Sequence, residues 1–266
     1  MKTNYFLDVE SDWVVAFLDI LGFSALIRTN DTVSMNDEGY VANIKAIFDN
    51  IISWFDEAKK KELGIKFKFV SDSIFIASKI DDIEALFDSI DFVVFELFNL
   101  MRVCVRGGIA VGSLHFNENL WGTAVVEAVA LESGASEPRI FIRDEDYLRI
   151  ALEQDLKQYF CKTEDDEYYY DYFYHYITDI ENKDNLCTML ANTAWGIKDQ
   201  FYQFAKDEIR RKWHCLACDL LRNIQRNREY LNNCNDFNEE LYSTQVDLSQ
   251  CSSNFDVIEA LLKDCI

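Results

Sequence analysis

Val14-Val15-Ala16-Phe17-Leu18-Asp19-Ile20-Leu21-Gly22-Phe23-Ser24 decides how this chain is read. It opens as an unbroken apolar run, the pattern of a strand buried on both faces. One carboxylate, Asp19, interrupts it; Gly22 follows three residues later, and helix-like sequence begins near Ser24. An acid at the end of a buried strand is costly unless a positive charge meets it, and the first cation downstream is Arg28. Two readings fit. In one, a divalent metal sits on Asp19, since Mg²⁺ takes one or two carboxylates together with phosphate oxygens, and the peptide N–H groups from Leu21 to Ser24 cradle a polyphosphate at the helix start. In the other, Asp19 is a buried acid that caps the helix.

Working outward, residues 30–40 are polar and read as a loop. Val41, Ile44, Ile47, Phe48, Ile51, Trp54 and Phe55 recur at helical spacing, and Lys59-Lys60-Lys61 suits the negative end of a helix dipole. Ile65 to Ser78 is strand sequence broken by Ser71-Asp72-Ser73, a hairpin or bulge with an acid at its bend. Asp82 to Cys104 predicts an amphipathic helix, and Val103 to Val111 a strand turning at Gly112, with Leu114 to Phe116 returning antiparallel. Gly122 to Ser133 predicts a helix and Arg139 to Ile142 a strand. Strands in mixed pairs under two or three helices imply an α+β sandwich of the ferredoxin-like kind, with a mixed sheet covered by helices. The expected division is a leader over 1–12, a catalytic-type domain over 13–143 and a mainly helical region over 144–266. Within the last, Asp146 to Phe160 reads as helix and Tyr168 to Tyr176 as an edge or interface strand. Residues 194 to about 231 read as one or two long helices, and a polar, Asn-rich tail closes with a short helix at Val257 to Leu262.

With 266 residues, 49% of them hydrophobic and 14% aromatic, the chain has ample material for a core. No apolar run reaches the ~18 residues of a membrane span, and the start Met1-Lys2-Thr3-Asn4-Tyr5-Phe6 does not resemble a signal peptide. A cytoplasmic protein with reduced thiols is expected, and the eight scattered cysteines do not form a disulfide framework. A net charge of −21 argues against long nucleic acid as a partner. A nucleotide stays admissible, because a bound metal offsets its charge.

Asp19 and Asp72 both fall at strand ends or bends. In a ferredoxin-like sheet the first strand and the hairpin after the first helix are placed to be neighbours. Carboxylates brought together that way repel unless a cation separates them, which is the arrangement of a two-metal nucleotidyl-transfer site. One ion there lowers the pKa of an attacking hydroxyl and the other holds a triphosphate.

Phe17-Leu18-Asp19-Ile20-Leu21-Gly22-Phe23-Ser24 resembles the first metal motif of class III nucleotide cyclases, and Lys68-Phe69-Val70-Ser71-Asp72 their second. Arg106-Gly107-Gly108-Ile109-Ala110-Val111-Gly112 is similar to the strand that follows, and Trp121 to Ser133 to their dimer-interface helix. The Ser-Asp-Ser form, Arg106 to Ile109 and Pro138-Arg139-Ile140 look most like the bacterial pyrimidine cyclases of the Pycsar antiphage system. The resemblance spans residues 13 to about 142. It implies a homodimer with sites at the interface, converting UTP or CTP to the 3′,5′-cyclic monophosphate and pyrophosphate. Two Mg²⁺ or Mn²⁺ ions would lie on Asp19, Asp72 and the Ile20 carbonyl, with substrate contacts at Phe17, Leu21, Gly22, Phe23 and Lys68. The chain departs from the pattern where the interface helix of typical members carries an Asn and an Arg: Val126 and Ala130 stand there, and neither donates a hydrogen bond. Arg106 or Arg139 would then supply the missing charge, or the protein is a weak or inactive cyclase serving as a nucleotide sensor or scaffold. The Gly-Gly-acid-acid motif of diguanylate cyclases is absent, since Ile109-Ala110 follow Gly107-Gly108.

Other features read as structural. His214-Cys215-x-x-Cys218 is half a zinc site and reads as helix burial. His115 and His175 are isolated. The Tyr168–Tyr176 cluster suits a core or dimer face more than a base-stacking platform, and Glu164 to Glu167 a solvated loop.

Overall fold

The apolar run around Phe17 has two faces to bury, and the strand it forms, β1 (Glu10–Ile20), is central in its sheet, between two partner strands with helices available to cover both faces. The computed structural model describes residues 10–24, 27, 38–117, 119–152, 156–179, 186–204, 206–228, 251 and 253–266. The expected leader therefore falls almost wholly outside the described residues, as do most of the 30–40 loop and of the Asn-rich tail. β1 is followed by α1 (Glu38–Lys60), β2 (Lys66–Val70), β3 (Ser73–Lys79), α2 (Ile83–Met101) and β4 (Val105–Phe116). Next come β5 (Leu120–Trp121), α3 (Thr123–Gly134), β6 (Ile140–Ile142), a one-turn α4 (Asp144–Tyr147), β7 (Phe160–Lys162) and β8 (Tyr168–Tyr170). The sheet order is β2-β3-β1-β4-β6-β8-β7, with β5 paired to β4. β1 runs antiparallel to both β3 and β4, and β4 runs parallel to β6. The first four strands and two helices thus make the split βαβ arrangement of a ferredoxin-like core, as the motif order predicts.

Alternation along β1 sorts the two faces. Trp13, Val15 and Phe17 pack with Phe75, Ala77, Ala110 and Leu114 beneath Ala124, Val125 and Ala128 of α3. Val14, Ala16, Leu18 and Ile20 point the other way and are essentially inaccessible to solvent. On that side α1 lays Phe55 on Phe67 at 3.8 Å and Phe48 against Phe69 at 4.9 Å, while α2 packs on β3.

Four local expectations change. Gly112 does not turn the chain; β4 runs through it to Phe116, and the return strand is β5. A Cβ at Gly112 would lie 2.4 Å from the Thr123 hydroxyl, so this glycine admits the start of α3 rather than a bend. Asp146 to Phe160 is not one helix: α4 passes into a π-helical turn over Leu148–Leu152, then a short 3₁₀ turn over Lys157–Tyr159 and β7. The Tyr168–Tyr176 run is not one strand either. β8 is internal, between β6 and β7, and Asp171 then caps α5 (Tyr172–Asp179) by accepting from the Tyr174 N–H at 3.3 Å. The two strands β7 and β8 also extend the first compact unit to Tyr170.

The second unit, Asp171–Ile266, is helical among its described residues. It comprises α5, α6 (Leu186–Gln203), α7 (Asp207–Arg226) and α8 (Asn254–Leu262). Leu190, Ala194, Ile197, Leu216, Leu220, Ile224, Val257 and Leu261 are buried within it. No described helix is long and apolar enough to cross a membrane.

Candidate functional site

Register carries the site. In the row across the end of the sheet, Val70 pairs with Ser73, Ser73 with Asp19 and Asp19 with Arg106. The β2–β3 bend, Ser71-Asp72, closes onto the end of β1: the Ile20 N–H donates to the Asp72 carbonyl at 3.0 Å. Ser71 takes a left-handed φ of 60° to make the bend this tight. The two acids flagged by the sequence are therefore neighbours at one strand end. Asp19 shares its face of β1 with Phe17 and lies on the α3 side of the sheet, with its side chain 23% exposed and so reachable from solvent.

The sequence left Asp19 without a nearby cation, and the fold supplies one. Arg106 stands directly across the β1–β4 ladder with Nη2 3.6 Å from Asp19 Oδ2. The same guanidinium is anchored on α3: Nε donates to Glu132 Oε1 at 2.8 Å, Nη2 also donates to that oxygen, and Nη1 donates to the Ala135 carbonyl at 2.9 Å. Glu132 entered the sequence reading only as part of the interface-helix pattern Gly122…Ala128…Leu131-Glu132, with no role of its own. Its signal was an acid in the last turn of the helix, where the dipole disfavours it; an unseen partner is the physical reason to look. Arg139, the other candidate cation, is held by Glu137 and lies over the Tyr169 ring at 4.5 Å.

The remaining positions divide by what their groups already do. Phe17 is 7% exposed, with its ring 4.7 Å from that of Phe75. Lys68 pairs with Phe75 across β2–β3 and shares its face, in the row of Phe17, two rows from Asp19. The Leu21 N–H donates to the Cys104 carbonyl at 2.9 Å, which leaves the cradle to Gly22, Phe23 and Ser24. Gly22 takes φ +81°, with open space where a Cβ would stand. Backbone conformation, not crowding, selects glycine there. Phe23 packs edge-on against Phe48 at 5.8 Å. Val126 and Ala130 both lie on the exposed flank of α3, Val126 at 64% exposure.

As a donor set, two carboxylates and the peptide carbonyl of Ile20 are all hard oxygen ligands, which suits Mg²⁺ or Mn²⁺. No group of three or more Asp, Glu, His or Cys side chains stands together as a metal cage among the described residues. The Cys-x-x-Cys stretch makes no such cage. Cys215 is buried and directed at Asp219 at 3.9 Å, and Cys218 lies 3.7 Å from His214 Nε2. His214 Nδ1 meets the Cys265 carbonyl at 2.7 Å, and burial pushes the Cys265 thiol up to about 11. His115 stacks on Trp121 at 4.7 Å, and Glu164 to Glu167 form an exposed turn between β7 and β8.

No protein-family model and no curated protein matches the chain. Among solved structures it is similar to the adenylyl cyclase CyaB from P. aeruginosa, at 21% identity and TM-score 0.40 over 54% of this chain and 81% of that one. It is also similar to a non-canonical dimeric guanylyl cyclase domain of the RhoGC fusion protein from the aquatic fungus Blastocladiella emersonii (16%, TM-score 0.42, 60% and 96%). A third is the guanylate cyclase domain of RhGC from Catenaria anguillulae in complex with GTP (18%, TM-score 0.40, 60% and 96%). At such identities and scores the case for function rests on the residues of the site.

Proposed function

We propose that residues 10–170 are a nucleotide cyclase acting on a pyrimidine nucleoside triphosphate, UTP before CTP, to make the 3′,5′-cyclic monophosphate and pyrophosphate. The observation that carries this is the closure of the Asp72 bend onto the Asp19 strand end, with Arg106 beside it. Asp19, Asp72 and the Ile20 carbonyl would hold two Mg²⁺ or Mn²⁺ ions. When bound, such ions lower the pKa of the ribose 3′-hydroxyl and offset the charge of the triphosphate. The N–H groups from Gly22 to Ser24 orient the β- and γ-phosphates, and Arg106 adds a fixed positive charge where negative charge develops on the α-phosphate. Lys68, two rows away on the same face, would meet the base. Catalysis is then mainly positioning and charge neutralisation. A second copy of the chain completes the site, and exposed Val126 and Trp121 (39%) supply apolar surface for it to cover. Pyrimidine choice and a second-messenger role in antiphage defence rest on the resemblance of Ser71-Asp72-Ser73 and Arg106 to Ile109 to the Pycsar enzymes.

A second reading has one observation in its favour. Val126 and Ala130 present no donor on the exposed flank of α3, which suits a nucleotide-binding sensor or scaffold. Incubation with each of the four NTPs and Mn²⁺, followed by chromatography, separates the two. Cyclic UMP or CMP is expected, and it should vanish in Asp19→Ala and Asp72→Ala while both variants keep the wild-type circular dichroism spectrum. NTP binding without product selects the sensor. Full activity in either variant overturns the metal assignment.

A further inference from the structure

We infer that Glu132 is a positioning residue for the Asp19 site. From α3 it neutralises Arg106 and holds the guanidinium back, so that Asp19 keeps a carboxylate charge to offer a divalent cation. The inference deepens the cyclase reading and rests on it for the nature of the cation.

Glu132 is 7% exposed, a depth at which an ionised carboxylate needs a charged partner. α3 comes down on β4 so closely that a Cβ on Gly108 would lie 2.3 Å from the Ala128 carbonyl and 2.6 Å from Leu131 Cβ. That close approach carries Glu132 over Arg106, two residues along the same face of β4. Arg106 then divides its donors unequally. Nε, Nη1 and Nη2 are all committed to the end of α3, on Glu132 and the Ala135 carbonyl. Asp19 meets Nη2 at 3.6 Å, beyond hydrogen-bond length. The tight pair is Arg106–Glu132, and Arg106–Asp19 is the loose one.

The three side chains together carry one net negative charge. With a neutral residue at 132 the trio is neutral, and the guanidinium, released from its tighter partner, closes on Asp19 and competes with an incoming cation. Glu132 thus sets divalent affinity without touching the ion. If the Glu132–Arg106 pair were only a cross-link between helix and sheet, its loss would lower the melting temperature and leave ion binding unchanged.

The test uses Mn²⁺ alone, titrated into the full chain and followed by loss of the free-Mn²⁺ electron paramagnetic resonance signal, with circular dichroism to confirm folding. Wild type binds, Asp19→Asn does not, and Glu132→Gln binds about tenfold more weakly, the order expected for one unit charge a few ångströms from the site. The double variant Arg106→Met, Glu132→Gln restores the net charge of the trio and returns affinity to within about threefold of wild type, a rescue that a purely structural role does not produce. Equal affinity in wild type and Glu132→Gln, or a double variant no tighter than Glu132→Gln, overturns the inference and leaves the cyclase reading standing. A wild-type chain that binds no Mn²⁺, with or without a non-hydrolysable UTP analogue, overturns both. If Glu132→Gln does not fold, Glu132→Ala takes its place, with the same roughly tenfold loss expected and equal affinity overturning the inference.

Discussion

Replacing Arg106 by Met tests the core of the site independently of any substrate. The substitution keeps most of the aliphatic volume and deletes the charge. It leaves Glu132, at 7% exposure, without its guanidinium. Breaking a buried pair from one side costs about 3–5 kcal/mol. The 23% exposure of the Arg106 side chain lets water reach part of the gap, so about 3 kcal/mol is the better figure. The looser contact to Asp19 adds little, because at 3.6 Å its gross attraction of about 1–5 kcal/mol is largely offset by desolvation. At roughly 2–4 °C per kcal/mol for a unit of this size, the melting temperature should fall by about 6–12 °C. Glu132→Gln alone, which gives up the charged pair with Arg106 but leaves no ionised carboxylate stranded at position 132, should cost about 1 kcal/mol. The double variant, with both charges removed, should also cost only about 1 kcal/mol, giving a coupling of about 3 kcal/mol between the two positions. Thermal melts of the four chains by circular dichroism measure the cycle. Additive losses would show that Arg106 and Glu132 do not depend on one another, and the account of Asp19 built on them would fail.

Two further outcomes follow from buried acids elsewhere in the first unit. Asp146 is 2% exposed and bonded to Arg143 at 2.8 Å; burial raises its pKa above the ordinary 3.8, against the lowering effect of Arg143. A carboxyl whose pKa is raised on folding stabilises the fold while protonated. Its contribution is fully present below pH 3.8 and is lost as pH rises through the raised value. Asp146→Asn should therefore flatten the dependence of stability on pH over that window, and urea melts at a series of pH values should show an unchanged slope if the assignment is wrong. Tyr170→Phe removes the hydroxyl that donates to buried Asp91 at 2.9 Å while leaving the ring, stacked 4.5 Å from Phe87. A loss of about 1–3 kcal/mol is expected, read as a drop of several degrees in melting temperature; no change would mean that Asp91 does not rely on Tyr170.

What could be read from residues alone was whatever depends on near neighbours. The apolar run of β1, the acid-bearing bend at Ser71-Asp72-Ser73 and the helical spacing of α1 and α2 are local patterns, and each element stands where its pattern puts it. Each aspartate was legible at its strand end or bend for the same reason, whereas setting the two side by side needed the expected sheet topology, and the Ile20 N–H bond to the Asp72 carbonyl shows the bend closing there. The misread stretches are those where a distant partner overrides the local signal. Gly112 looks like a turn until α3 is laid over it, since the sequence does not show what presses on a missing side chain. Tyr168 to Tyr176 carries strand-forming residues throughout, yet Asp171 caps a helix in its middle, and β8 finds its place only because β6 and β7 flank it. The charge balance at Asp19 was decided in the same way. Its cation comes from β4 and that cation's own anchor from α3, and antiparallel register together with the close approach at Gly108 brings them to one point. Hydrophobic alternation and turn chemistry act over a few residues and can be read directly. Ion pairing acts through space, and only the folded chain shows which charges meet.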